Sequence, residues 1–403
     1  MFTDLKLFLS AFKDYRAFQA LPQDKRKIVF YAEDNASYVH FQPVIEQLTN
    51  ACRQQICYLT SSPNDPIFLA KSDHILAFYI GNASVRTWLF LNLKADVMIM
   101  TMPDLESFHL KRSKVYPVHY IYIFHSMFSV HSYLYKGAVD HYDSVFCVGP
   151  HHVKEIRETE RVYNLPAKHL VEFGYCRLDT LMEENKGLRQ DFKMDAQDNK
   201  RILIAPSFGP HNLLVTCGQE LVRGLLKAGY HVTVRPHPVT TDKSPETINA
   251  LRNEFSVDKN FVLETEIRSY ESLHAAHCMI SDWSGVSLEF AFALERPVLF
   301  IDVPKKEKNP DAGDILCEPI EIAIRKEIGD VVAPDKVEDV PQKVRELVDN
   351  IGTIRLRIQK TRQETVFNIC SSGIVGAQAI IRIAQEKKHE DVIQQHVTMS
   401  KTP

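Results

Sequence analysis

What the 403-residue chain lacks narrows its class first. It has eight cysteines, at 52, 57, 147, 176, 217, 278, 317 and 370, with no CxxC pair among them. Several sit in apolar runs such as "SVFCVG" and "AHCMIS", which fits reduced, buried thiols and argues against a disulfide framework. No apolar stretch approaches the roughly 18 residues that span a bilayer, and no signal peptide is recognisable. Charge of one sign is missing as well: 48 basic and 51 acidic residues give a formal net charge of −3. That balance supplies no whole-chain drive toward nucleic acid, so an anionic ligand must be met locally. With 45% hydrophobic residues, the chain can bury a large core, and its length suggests two domains, or three, of a soluble globular protein.

The first twenty residues place Phe2, Leu5, Leu9, Phe12 and Phe18 at near-helical spacing, with Lys6, Lys13 and Arg16 among them. An interfacial membrane helix has this pattern, and so does an amphipathic helix docked on the protein's own surface; the second is expected, because such faces usually meet a core. From residue 27 the apolar runs "KIVFYAE", "QICYLTSS", "DVMIMTMP", "VHYIYIFHS" and "YDSVFCVG" read as continuous strands of a parallel sheet covered on both faces. The helical stretch "PHHVKEIRETERVYN" follows, and the polar segment 183–201 reads as a linker or a helix with a linker. The alternation then restarts. "RILIAPSF", "HVTVRPHP", "FVLETE", "HCMISD" and "PVLFID" are strands, with helices near 245–255 and from Ser284, and a further helix that Thr216 and Gln219 start as a capping box. Strands alternating with helices predict two doubly wound, Rossmann-type α/β domains facing a cleft. The expected divisions are an N-terminal helix at 1–25, domains at 26–185 and 186–385, and a frayed polar tail at 386–403.

Ligands of open parallel sheets bind at the carboxyl ends of the strands. Three polar clusters fall there. In "SDWSGVSLEF", Ser281, Asp282, Ser284 and Gly285 form the turn between a strand and an apolar helix, whose N-terminal N–H groups suit a phosphate. A plain N-cap by Asp282 or Ser284 explains the same residues. In "VRPHP", a protonated His237 and a bidentate Arg235 would offset a diphosphate, with Asp282 keeping His237 charged, orienting a donor or capping the helix. The alternative is an exposed strand end stiffened by prolines. In "FHSMFSVHSYL", His125 ends a strand of the first half, where a general base facing the cleft would stand. His131 reads as a core or surface residue. "PHH" and "HAAHC" lack a second ligand pair, so no zinc site is expected.

The ordered set "HSM", "GYCRLD" (174–179), "APSFGP" (205–210), "RPHP" and "SDWSG" resembles the CDP-glycerol glycerophosphotransferase family, which includes teichoic acid polymerases and primases. The resemblance covers roughly residues 115–305. It implies a GT-B-like arrangement, with the nucleotide donor in the C-terminal domain and the acceptor in the N-terminal one. It also implies a cytoplasmic enzyme, attached peripherally to the inner membrane face in some members, that transfers a polyol phosphate to a glycan or lipid-linked hydroxyl and releases CMP. By motif, His125 would be the catalytic histidine and His237 the diphosphate-binding one. Arg235, Ser281, Asp282, Ser284, Gly285, Ser207 and Gly209 would bind substrate, and Glu289 would take either the ribose hydroxyls or a purely structural role. No cofactor or metal is required, because side chains and a helix dipole supply positive charge. Ser126 and Met127 depart from the family's Gly-Thr after the histidine, and "APSFGP" lacks its Trp-Arg, which leaves the acceptor and the polyol open. A sugar-nucleotide glycosyltransferase, a UDP-sugar 2-epimerase and a non-catalytic assembly protein remain as alternatives.

Overall fold

The continuous apolar runs become the central strands of two parallel sheets. The computed structural model describes residues 2–191, 201–265, 270–305 and 308–399. The N-terminal sheet is built from β1 (Ile28–Ala32), β2 (Ile56–Thr60), β3 (Ile75–Tyr79), β4 (Val97–Met100), β5 (His119–Ile123), β6 (Ser144–Cys147) and β7 (His169–Glu172). Their order is β3-β2-β1-β4-β5-β6-β7. The C-terminal sheet contains β8 (Arg201–Ile204), β9 (His231–Val234), β10 (Phe261–Leu263), β11 (Cys278–Ser281), β12 (Val298–Ile301) and β13 (Gly329–Val332), in the order β10-β9-β8-β11-β12-β13. Every pairing is parallel. In each sheet the order reverses beside the first strand, between β1 and β4 and between β8 and β11. Those two switch points open crevices at the strand ends.

Three features depart from the sequence reading. The helix Leu213–Lys227 begins a turn earlier than the expected capping box: Asn212 accepts the Leu214 and Val215 amides at 3.0 and 3.4 Å, while Thr216 Oγ1 donates to the His211 carbonyl. The polar segment from 183, read as a linker or a helix with a linker, agrees with the second form in being helical through Asp191, as part of Cys176–Asp191, and its remainder at 192–200 lies outside the described residues. The last helix, Ser372–Met399, belongs to the other domain from the one expected. Its Ala377, Ala379, Ile380 and Ile383 pack with Phe41, Val44 and Phe173 against the N-terminal sheet. Asp179 fixes this return by accepting the Cys370 and Ser372 amides at 2.7 and 3.0 Å. The expected frayed tail is helical to Met399.

The helix Phe2–Ala20 docks through Phe18, which meets Phe78 edge-on at 5.6 Å, and through Asp14, which accepts the Tyr79 amide. It thereby covers the edge strand β3, as protected sheet edges require. Its Leu5, Leu7, Phe8, Leu9 and Phe12 stay exposed.

The domains are also joined near Gly149, where a Cβ would lie 1.8 Å from the Thr365 carbonyl oxygen. The Phe367 amide donates to the Val148 carbonyl beside it. Gly149→Ala must push apart the starts and ends of two helices, Pro150–Tyr163 and Ile351–Thr365. We expect a loss of about 1–3 kcal/mol, read as a lower melting temperature. An unchanged melting curve would contradict this close approach.

Candidate functional site

At the C-terminal switch point the conspicuous polar residues turn inward. Asp282 is buried, with Oδ1 accepting the Ser207 amide at 2.6 Å and Oδ2 the Leu213 amide at 2.9 Å. Ser281 Oγ, also buried, donates to the Ala205 carbonyl at 2.6 Å. A buried carboxylate needs such donors, and Asp282 spends both oxygens tying the loop after β8 to the turn after β11. It therefore does not cap its own helix, and its hydrogen bonds go to these amides rather than to His237. The helix Val286–Leu294 begins at Gly285 with no side-chain cap, and Ser284 serves it through its carbonyl, which accepts from Ser287. Gly209 has φ +125°, a conformation suited to glycine, and its carbonyl accepts from Asn212 Nδ2 at 2.7 Å.

His237 caps the short helix Pro238–Lys243, its Nδ1 accepting the Val239 amide at 3.2 Å while its ring stacks on Phe208 at 4.6 Å. An acceptor Nδ1 places the ring proton on Nε2. His237 is thus arranged as a neutral N–H donor, in place of the protonated imidazole expected from sequence. Arg235 differs more. It is buried, and its Nε donates to Glu264 Oε2 at 2.8 Å while Nη2 meets Ser272 Oγ. Its charge is balanced there, so it is committed to an ion pair rather than to a bidentate diphosphate clamp.

At the N-terminal switch point, His125 Nδ1 lies 3.2 Å from the Thr101 carbonyl. A carbonyl only accepts, so Nδ1 holds the proton and Nε2 keeps its lone pair, the form a general base needs. Burial holds this imidazole below its usual range, partly offset by the Thr101 bond. It borders a pocket of about 200 Å³ lined also by Glu33, Asp34, Ser37 and His40. Burial pushes His40 down to about 3, with His125 and Arg177 adding to the effect, and pushes Glu33 up.

The loop after His125 is fixed from several sides. His151 Nε2 and His152 Nε2 donate to the Met127 and Phe128 carbonyls, each at 2.9 Å, and Glu155 accepts the Val130 amide at 2.6 Å. The two histidines of "PHH" thus hold this loop. His131 is buried beside Glu155 at 3.1 Å, as a core residue.

Across the cleft the two halves meet. A Cβ on Gly285 would stand 3.2 Å from Ser126 Oγ, so the "SDWSG" turn touches the residue after His125. Tyr175 hydroxyl bridges the His125 carbonyl at 3.0 Å and Glu289 Oε1 at 2.8 Å. Glu289, whose burial raises its pKa, is thereby linked through Tyr175 to the His125 backbone. Glu321 accepts the Ser129 amide at 3.1 Å and the Ser132 hydroxyl, and Ser129 Oγ accepts the Ile320 amide. Sequence reading missed Tyr175, Glu321 and Glu155. Only Tyr175 carried a signal, inside "GYCRLD".

A family model described as CDP-Glycerol:Poly(glycerophosphate) glycerophosphotransferase matches residues 15–308. The chain belongs to this family. It is a CDP-glycerol glycerophosphotransferase-like enzyme. Among solved structures, the wall teichoic acid polymerase TagF soaked with CDPG is 14% identical, with a TM-score of 0.57 over 94% of each chain. UDP-GlcNAc 2-epimerase from Neisseria meningitidis, bound to UDP-GlcNAc, is 13% identical, with a TM-score of 0.56 over 88% of this chain and 100% of its own. The epimerase from Rickettsia bellii is 14% identical, with a TM-score of 0.55 over 90% and 96%. These likenesses establish the GT-B-like pair of Rossmann-type domains. No curated protein matches the glycerophosphotransferase-like chain in sequence.

Asp282→Asn leaves one of the two amides at Ser207 and Leu213 without its acceptor. The expected cost is about 1–3 kcal/mol of stability, measured by thermal or denaturant unfolding. A variant as stable as the wild type would show that the carboxylate is not the tether.

Proposed function

We propose that the enzyme transfers a polyol phosphate, glycerol phosphate in the first instance, from a CDP-linked donor to a hydroxyl of a cell-surface glycan or lipid-linked precursor. The observation that carries this reading is the His125 tautomer, with its Nε2 lone pair beside an N-terminal pocket and its next residue against the uncapped start of Val286–Leu294. The acceptor hydroxyl lies in the pocket with Glu33 and Asp34. The donor's diphosphate lies at the helix start with the N–H of His237. His125 Nε2 takes the hydroxyl proton. The hydroxyl oxygen attacks the phosphorus that carries the polyol, the bond from that phosphorus to the bridging oxygen breaks, and CMP leaves with the bridging oxygen and its electron pair. His125 then returns the proton to solvent. The helix N-terminus and the His237 N–H stabilise the charge that builds on the phosphates.

The exposed Leu5, Leu7, Phe8, Leu9 and Phe12 support a second part of the proposal: a peripheral contact with the cytoplasmic face of the membrane that carries the lipid-linked acceptor. Phe18 and Ala11 of the same helix are core residues, so substitution tests this better than deletion. Replacing Leu5, Phe8 and Leu9 together by serine should abolish flotation with anionic vesicles and leave the melting temperature in place. Unchanged flotation would remove the membrane role.

His125→Ala should lower CMP release from CDP-glycerol by roughly 100- to 10,000-fold without unfolding the protein. A folded variant with full turnover would take His125 out of the mechanism. Because burial holds the His125 pKa below 6.5, kcat/KM should stay level through neutral pH and decline only below that value, as the base becomes protonated. An acidic limb centred above neutrality would contradict the buried neutral imidazole.

A further inference from the structure

The cations near the cleft are not equivalent. Arg235 is paired with Glu264 at 2.8 Å. Arg325 pairs with Asp302 at 2.8 Å, with its guanidinium carbon 3.5 Å from the Trp283 ring centroid. Lys305 stands 3.9 Å from Glu321. Lys308 has no carboxylate within ion-pair distance among the described residues. Its ammonium sits 3.5 Å above the Tyr133 ring and 5.8 Å from the Phe208 ring.

Those two rings define where Lys308 is. Tyr133 lies on the N-terminal side, its ring 6.4 Å from that of His125. Phe208 lies on the C-terminal side, stacked on His237. The ammonium is therefore held between the base and the histidine placed at the diphosphate. An ammonium partly withdrawn from water with no counter-ion is unfavourable, and ring faces offset only part of that cost. Accordingly, burial lowers the Lys308 pKa to about 8. An anion arriving between the rings would supply the missing partner through a charge-assisted hydrogen bond.

We propose that Lys308 is the residue that binds the diphosphate of the nucleotide donor, providing the full positive charge that Arg235 cannot. The assignment rests on the transferase reading for the identity of the ligand. It does not depend on which base the nucleotide carries. During transfer the leaving phosphate gains negative charge, and the ammonium, already positioned and poorly solvated, stabilises it there.

Titration calorimetry of the full chain with cytidine, CMP, CDP and UDP tests this on the wild type, Lys308→Met and Lys308→Arg. Methionine keeps the bulk over Tyr133 and removes the charge. It should weaken CDP binding by about 10- to 100-fold while changing cytidine binding by less than about threefold, and arginine should recover part of the loss. With CDP-glycerol as substrate, the same Met variant should lose kcat as well as donor affinity, which a merely structural lysine would not produce. A melting temperature at or above that of the wild type shows that the variant is folded, since an uncompensated, half-buried charge has been removed.

Wild-type affinity of Lys308→Met for both CDP and UDP overturns the proposal, as does an equal weakening of CDP and cytidine. A Lys308 effect seen with UDP but not CDP would sink the CDP-donor reading and leave the diphosphate assignment standing. If the wild-type protein bound neither diphosphate, both would fall.

Discussion

Glu321 belongs to the C-terminal domain, yet its carboxylate is satisfied by the N-terminal one, through the Ser129 amide and the Ser132 hydroxyl. A buried carboxylate cannot be left without donors except at high cost, so this bond ties the loop after His125 to the opposite half. Tyr175 makes a second tie, reaching from the His125 carbonyl to Glu289. The placement of His125 and of the loop after it follows from both. His125 is oriented by Thr101 in its own sheet, while the segment that follows it is oriented by the partner domain. His125 and the start of Val286–Leu294 are thereby held as one unit, instead of being left to meet across a loose hinge.

The charge economy of the cleft follows a consistent pattern. Its conspicuous ionisable groups are either neutral or already matched: His237 accepts an amide, Arg235 has Glu264, and Asp282 holds two backbone amides. Burial keeps His125 and His40 uncharged. A neutral base and a small number of uncompensated positive elements suit phosphoryl transfer, in which the enzyme mainly positions groups and stabilises charge. The uncapped start of Val286–Leu294 is one such element, and the ammonium of Lys308 is another.

Much of the fold was legible because buried parallel strands are continuous apolar runs, and "KIVFYAE", "RILIAPSF" and "HCMISD" all became central strands. The strands that escaped notice lie at or beside sheet edges. β3 is only partly buried, β7 is "HLVE" with two exposed ends, and β13 begins "GD". The return of Ser372–Met399 to the first domain was invisible, since an apolar helix face does not say which sheet it will cover. For the site, position was readable and role was not. Strand ends located Asp282, Arg235 and His237, but whether a side chain faces a ligand or a neighbouring loop depends on partners such as Glu264 and Ser207. Those partners are far away in sequence. Lys308, in the charged run "KKEKNP", and Glu321, in "EPIEIAI", carry no pattern that sets them apart from ordinary charged residues.

Thermal unfolding of the purified protein against CDP-glycerol, CDP-ribitol, CMP-sugars and UDP-sugars tests the central claim most directly, because only a ligand that binds the native state raises stability. At about 100 times its dissociation constant, a ligand adds about 2.7 kcal/mol. The account predicts a rise with a CDP-polyol and none with UDP-sugars. A rise confined to UDP-sugars, or none with any nucleotide, would contradict it.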